Sequence, residues 1–163
     1  MKPDLTLDLA PIVPSLTLKS GNPLTAPVNA VVVGLTSDNK VSIYADSIPK
    51  AVATKIVAAL LAVGATGKKD EVTRIPAGSL ATADVIVAIG LGSEKTGFTP
   101  EQLRRAAGSA TRTLAGFKKV AIAITAVDAI QFGAILEGAA FGAYSFTAHL
   151  NATLKKAKSP VSS

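Results

Sequence analysis

The sequence predicts an α/β fold in which a mixed, mostly parallel sheet is covered by helices on both faces. Three observations carry that expectation. Residues 30–35 (AVVVGL), 84–89 (DVIVAI) and 119–124 (KVAIAI) are apolar runs of the kind found in strands buried on both sides. Stretches with apolar residues at helical spacing alternate with these runs. Glycine, proline and helix-capping residues punctuate the junctions, the pattern of strands and helices in alternation.

Taken in order, residues 15–19 (SLTLK) alternate apolar and polar as a half-buried strand does, and residues 20–27 (SGNPLTAP) read as a loop. The 30–35 run is a central strand, followed by a turn cluster at 36–40 (TSDNK) and a short apolar patch. Ser47 then opens a helix with Pro49 in its first turn. Its Val52, Ile56, Ala59, Leu60 and Val63 form one apolar stripe, and Gly64 and Gly67 stop it. Residues 71–75 (EVTRI) read as a strand with one exposed side, and residues 84–89 as a buried one running into a glycine loop at 90–97.

Thr99, Pro100 and Gln102 form the capping-box signature of a helix start, with Leu103, Ala106, Ala107, Ala110 and Leu114 facing inward. After the strand at 119–124, Asp128 caps a final helix reaching about Ala148, with Gln131 at its third position. Gly133, Gly138 and Gly142 lie inside that helix, where each is disfavoured by about 1 kcal/mol against alanine. A close packing contact is the expected compensation. The sequence shows no internal repeat, and residues 1–150 read as one domain followed at 151–163 by the start of a linker.

At 163 residues one core is expected, burying roughly 70% of the unfolded chain's surface. Hydrophobic residues make up 48% and charged residues 17%, with a mean hydropathy of +0.42. Much of this apolarity is Ala and Val, which suits either plain helix surfaces or a surface that meets a partner. The absence of cysteine excludes disulfides, thiolate metal sites and a cysteine nucleophile. Asp4, Asp8 and the early prolines break up any export signal, and Asp128, Gln131 and Glu137 interrupt the most apolar stretch short of the ~20 residues a membrane span needs. A cytoplasmic location is the expectation, with no membrane partner.

The net charge of +6 raises nucleic acid as a partner. Yet Lys68 and Lys69, Arg104 and Arg105, Lys118 and Lys119, and Lys155, Lys156 and Lys158 are scattered small groups without interleaved aromatics. The segment 90–97 (GLGSEKTG) sits between a strand and a capped helix, where anions bind. Gly90, Gly92, Ser93 and Gly97 are therefore the candidates for a nucleotide-binding loop. Glu94 stands where a Walker A loop needs glycine, and Lys95 where the dinucleotide fingerprint needs glycine or alanine. A flexible strand-to-helix connection is the competing reading.

His149 is the one histidine, too few for a structural zinc site, and no GxSxG elbow accompanies it. The eleven carboxylates are dispersed, Asp70 and Glu71 being adjacent but opposed in an extended chain. Glu137, set in an apolar helix, must be paired, hydrogen-bonded or at a boundary. No catalytic or metal-ligating residue is identified.

Three segments together, 89–92 (IGLG), 104–108 (RRAAG) and 137–146 (EGAAFGAYSF), resemble in order and spacing the amino-terminal domain of leucyl (cytosol) aminopeptidases. The resemblance spans the chain from the Ala30 strand to Phe146. It implies a three-layer, macro-domain-like α/β/α sandwich belonging to a larger, usually hexameric metallopeptidase that removes amino-terminal residues from peptides. The family's two-metal site, holding manganese or zinc, lies in a carboxy-terminal domain, and its hallmark Asn-Thr-Asp-Ala-Glu-Gly-Arg segment is not in these residues. The chain therefore looks like a non-catalytic fragment that serves assembly and substrate access. Two alternatives remain: a macro-type module binding ADP-ribose or a related nucleotide, and a DNA-binding accessory domain.

Overall fold

The computed structural model describes residues 14–144. In chain order these form a 3-10 turn (Pro23–Thr25), β1 (Ala30–Ser37), β2 (Val41–Tyr44), α1 (Lys50–Ala62), β3 (Val72–Pro76), β4 (Val85–Gly92), α2 (Pro100–Arg112), β5 (Val120–Ala123) and α3 (Ala129–Ala143). The apolar run of β1 is buried from Ala30 through to Thr36. A strand so placed must pair its backbone on both edges. Along one edge β4 runs parallel, Ala30 facing Val85 and Gly34 facing Ile89. The other edge is shared, with β5 parallel to residues 30–33 and β2 antiparallel to residues 34–37.

β3 adds antiparallel to β4, so the sheet is mixed, with parallel pairing confined to β4, β1 and β5. Asn29 gathers the strand starts. Its backbone oxygen accepts from Asp84 N–H at 3.0 Å, its amide donates to Lys119 O at 2.9 Å, and its side-chain oxygen accepts from Lys119 N–H at 3.2 Å.

Alternation along the strands divides the core in two. Val31, Val33 and Leu35, with Ile86 and Ala88 of β4, meet Ile56 and Leu60 of α1. Ala30 and Val32, with Val87, Ile89 and Leu91, meet Leu103, Ala106, Ala107 and Ala110 of α2. Helices α1 and α2 thus pack on opposite faces, and the inward stripe predicted for α2, including Leu114, is buried throughout.

α3 packs chiefly on α2, and glycine sets the distance. A Cβ on Gly138 would overlap the carbonyl oxygen of Arg104, and one on Gly142 that of Gly108. A Cβ on Gly108 would lie 3.1 Å from Gly138 O. The two helix backbones touch, and the dispersion attraction between them offsets the glycines' low helix propensity. Gly133 behaves differently: nothing lies within 4 Å of its would-be Cβ, so the close contact expected of all three glycines falls on Gly138 and Gly142.

Other expectations shift. Residues 15–19 form no strand, and Leu16 and Leu18 stand 51% and 74% exposed, because alternation licenses a strand only where a sheet edge accepts it. The first helix begins after Pro49 rather than at Ser47, and Val63, just past its end, is exposed instead of inward. The β4 strand runs on to Gly92, three residues into the expected loop. α3 ends at Ala143, where Tyr144 turns extended. His149, residues 145–148 of the expected helix and the 151–163 segment lie outside the described residues.

The crossing makes opposite predictions for two chemically identical changes. Gly138→Ala should lower stability by about 1–3 kcal/mol through overpacking, whereas Gly133→Ala should raise it by up to about 1 kcal/mol through helix propensity. Denaturant unfolding measures both, and equal effects would contradict the backbone contact.

Candidate functional site

Ligands of open α/β sheets bind beyond the carboxyl ends of parallel strands, and here β1 and β4 end side by side. The nucleotide-loop candidates Gly90, Gly92, Ser93 and Gly97 all lie at this end. Gly90 and Gly92 belong to the strand, however, and their amides are engaged. Gly90 N–H donates to Glu71 O at 2.7 Å and its carbonyl accepts from Asp70 N–H at 2.9 Å, while Gly92 N–H donates to Gly67 O at 3.0 Å. A Cβ on Gly90 would overlap the carbonyl oxygen of Lys68. Glycine is needed because the 67–71 segment lies directly on the β4 backbone.

Past Gly92, whose φ of 85° turns the chain out of the strand, the loop closes around a carboxylate of its own. Asp38, in the turn after β1, accepts through Oδ1 from the Ser93 hydroxyl and through Oδ2 from Glu94 N–H at 2.9 Å. Lys95 N–H turns to Ser93 Oγ at 3.3 Å, and Gly97 N–H donates to Glu94 O at 2.8 Å. The Ser93 hydrogen bond first, then the Glu94 amide and the charge of Lys95, hold the Asp38 carboxyl below its ordinary value. A phosphate entering here would have to displace Asp38 and would face its charge and that of Glu94. Asp38 was not marked in the sequence, since only the pairing of β1 with β4 brings it to Ser93.

The amino terminus of α2, the other natural anion site, is closed by its predicted box. Gln102 N–H donates to Thr99 Oγ1 at 3.2 Å, and Thr99 N–H to Gln102 Oε1 at 2.8 Å. Asp128 likewise caps α3 by accepting from Gln131 N–H at 2.7 Å. Buried Gln131 reaches further than expected, accepting from Val127 N–H at 3.1 Å and donating to Phe98 O at 2.7 Å. Phe98 in turn meets the edge of Tyr44, ring centroids 4.9 Å apart.

The adjacent acids part company. Asp70, at a positive φ of 66°, pairs with Arg105 at 2.8 Å, anchoring α2 to the 67–71 segment. Glu71 folds back, one oxygen accepting from Thr66 N–H (2.9 Å), Thr66 Oγ1 (3.0 Å) and Gly67 N–H (2.7 Å). Burial pushes its carboxyl up, but those hydrogen bonds outweigh it and hold the group below its ordinary value. Glu137 pairs across the helices with Arg104 at 2.9 Å, and Arg104 also binds Glu101. These are solvent-facing pairs, whose worth is small.

Among the described residues no three His, Cys, Asp or Glu side chains gather into a possible metal site. The donor set that two divalent ions would need is thus not offered by these residues, and no chemical step is assigned to them. An open groove of about 330 Å³ between Asn22, Leu24, Val52 and Thr82 has no titratable side chain in its lining.

Residues 32–151 match the family described as "Cytosol aminopeptidase family, N-terminal domain". The "Probable cytosol aminopeptidase" of Streptomyces coelicolor is 41% identical over 150 residues, covering 88% of this chain and 29% of that protein. Its namesake in Streptomyces griseus is 40% identical over 141 residues, covering 83% and 27%. This chain therefore spans under a third of the length of those relatives. Among solved structures, "Bottromycin maturation enzyme BotP" superposes with a TM-score of 0.58 at 18% identity, over 83% of this chain and 26% of that one. The likeness is one of fold.

Asp38 and Glu71 both titrate below their ordinary values when folded, so the unfolded chain binds their protons more readily. Their contribution is complete above the unfolded pKa values and is lost as pH falls through the lowered folded ones. Thermal melts taken from about pH 7 to about pH 3 should show falling stability. Glu71→Gln should cost about 1 kcal/mol at neutral pH and flatten the acid decline. A variant profile parallel to that of the unmodified chain would contradict the role given to Glu71.

Proposed function

The chain belongs to the cytosol aminopeptidase family as an amino-terminal domain, and on that basis we propose that it is the non-catalytic domain of a leucyl aminopeptidase. Such an enzyme is a two-metal exopeptidase that removes amino-terminal residues from peptides. The family match across residues 32–151 carries this reading. The chemistry resides in the remainder of the polypeptide, where two divalent ions, manganese or zinc, activate water for attack on the peptide carbonyl. The amino-terminal domain aids assembly of the hexamer and governs access of peptides, in the cytoplasm.

Two features support a scaffold role. Side chains on both faces of the sheet join a core, and in the loop at the ends of β1 and β4 the Ser93 hydroxyl and the Glu94, Lys95 and Gly97 amides all bond within the protein. A macro-type site for ADP-ribose at the 90–97 loop, with Gly90, Gly92, Ser93 and Gly97, is the second reading, favoured by its place beyond the parallel strand ends. It requires displacement of Asp38. The basic charge leaves a DNA-binding accessory role as a third reading, in which affinity must fall as salt rises.

The isolated chain should release nothing from leucine 4-nitroanilide in the presence of manganese or zinc, and clear turnover would overturn the non-catalytic assignment. Calorimetric titration with ADP-ribose should give no saturable heat. Saturable binding that is abolished by Gly92→Glu would instead promote the nucleotide reading.

A further inference from the structure

A helix on a protein surface normally turns a polar face outward. α3 does not. Glu137 is the one ionisable residue in its sequence AIQFGAILEGAAFGA, and that carboxylate is drawn to Arg104. Ile130 and Phe141 are each 71% exposed and stand about three turns apart on one flank of α3, with Glu137 between them. Val127, 70% exposed, precedes the Asp128 cap, and Tyr144, 41% exposed, follows the last turn. Gly133 has no atom within 4 Å of its would-be Cβ. Two exposed aromatics and an isoleucine beside a charged rim of Arg104 and Glu101 have the make-up of an interface core.

We propose that this exposed flank of α3 is the docking surface for the carboxy-terminal portion of the same aminopeptidase polypeptide, an inference that rests on the function proposed above. Three observations select that occupant. The family match ends at residue 151, just past α3, and the relatives continue well beyond the segment that this chain matches, 29% of the Streptomyces coelicolor protein. In sequence, the end of the family match follows the end of α3 that bears Phe141 and Tyr144, eight residues after Ala143. A tethered partner beginning there meets this flank at high effective concentration, so a modest apolar area suffices to hold it. With Glu137 already paired to Arg104, docking leaves no lone carboxylate buried.

The test joins residues 1–151 of this chain to the carboxy-terminal portion of the Streptomyces coelicolor relative, in place of that relative's own amino-terminal segment, and compares the fusion with the 163-residue chain by hydroxyl-radical footprinting. Oxidation of Phe141 and Tyr144 should fall several-fold in the fusion, while Leu61 of α1 and Val63 just past it stay as reactive as in the free chain. Phe141→Glu should restore Tyr144 reactivity and split thermal unfolding into two transitions, and Val63→Glu should do neither. Unchanged Phe141 reactivity in the fusion, protection of Phe141 already in the free chain, or two unfolding transitions in the unsubstituted fusion would overturn the inference. Failure of the parent reading looks different: Phe141 is protected, yet the fusion loaded with manganese or zinc does not cleave leucine 4-nitroanilide.

Discussion

A strand covered on both faces and bordered on both edges leaves no backbone amide or carbonyl for water, and each one stranded there costs on the order of kilocalories. β1 is that strand, and its pairing dictates the arrangement around it. Because β4 lies along one edge from Ala30 to Thr36, the two strands end together and their loops must share one corner. Because β5 and β2 divide the other edge, the chain returns antiparallel at 41–44 and parallel at 120–123 without leaving a gap. The same strand supplies both cores, Val31, Val33 and Leu35 to one and Ala30 and Val32 to the other.

The helical layer over the second face obeys a different constraint. Gly108, Gly138 and Gly142 let the backbones of α2 and α3 touch, a contact that larger side chains would hold apart. With α3 pressed so close, Arg104 reaches Glu137, and Gln131 reaches Phe98 O at the approach to α2. Part of the alanine content serves this contact: Ala106, Ala107, Ala110, Ala134, Ala139 and Ala143 are all buried. The apolar residues left over, Ile130 and Phe141, are on the side of α3 that this packing does not use.

At the strand ends, geometry that looks like an anion cradle serves cohesion instead. Asp38 supplies the negative charge that the Ser93 hydroxyl and the Glu94 amide attract, and Glu71 does the same for the turn at Thr66 and Gly67. Both carboxylates replace water with directed hydrogen bonds and so tie loops to strands.

The buried strands, the Thr99 and Asp128 caps and the inward stripe of α2 were legible because each depends on residues close in sequence: β-branched runs, a side chain reaching three residues on, apolar groups at helical spacing. The 104–108 and 137–146 motifs pointed to the family for the same reason, being contiguous. What could not be read locally was which backbone would approach which. The alternation of residues 15–19 found no sheet edge, Gly90 proved a place where the 67–71 segment lies on β4, and Gly133, alike in sequence to Gly138, faces open space. By itself, then, the sequence determined the α/β class, the caps and the family. Only the tertiary structure decided that Asp38 fills the glycine loop and that, among the described residues, nothing covers Ile130 and Phe141 of α3, because both follow from contacts between segments far apart in the chain, whose energies no local pattern records.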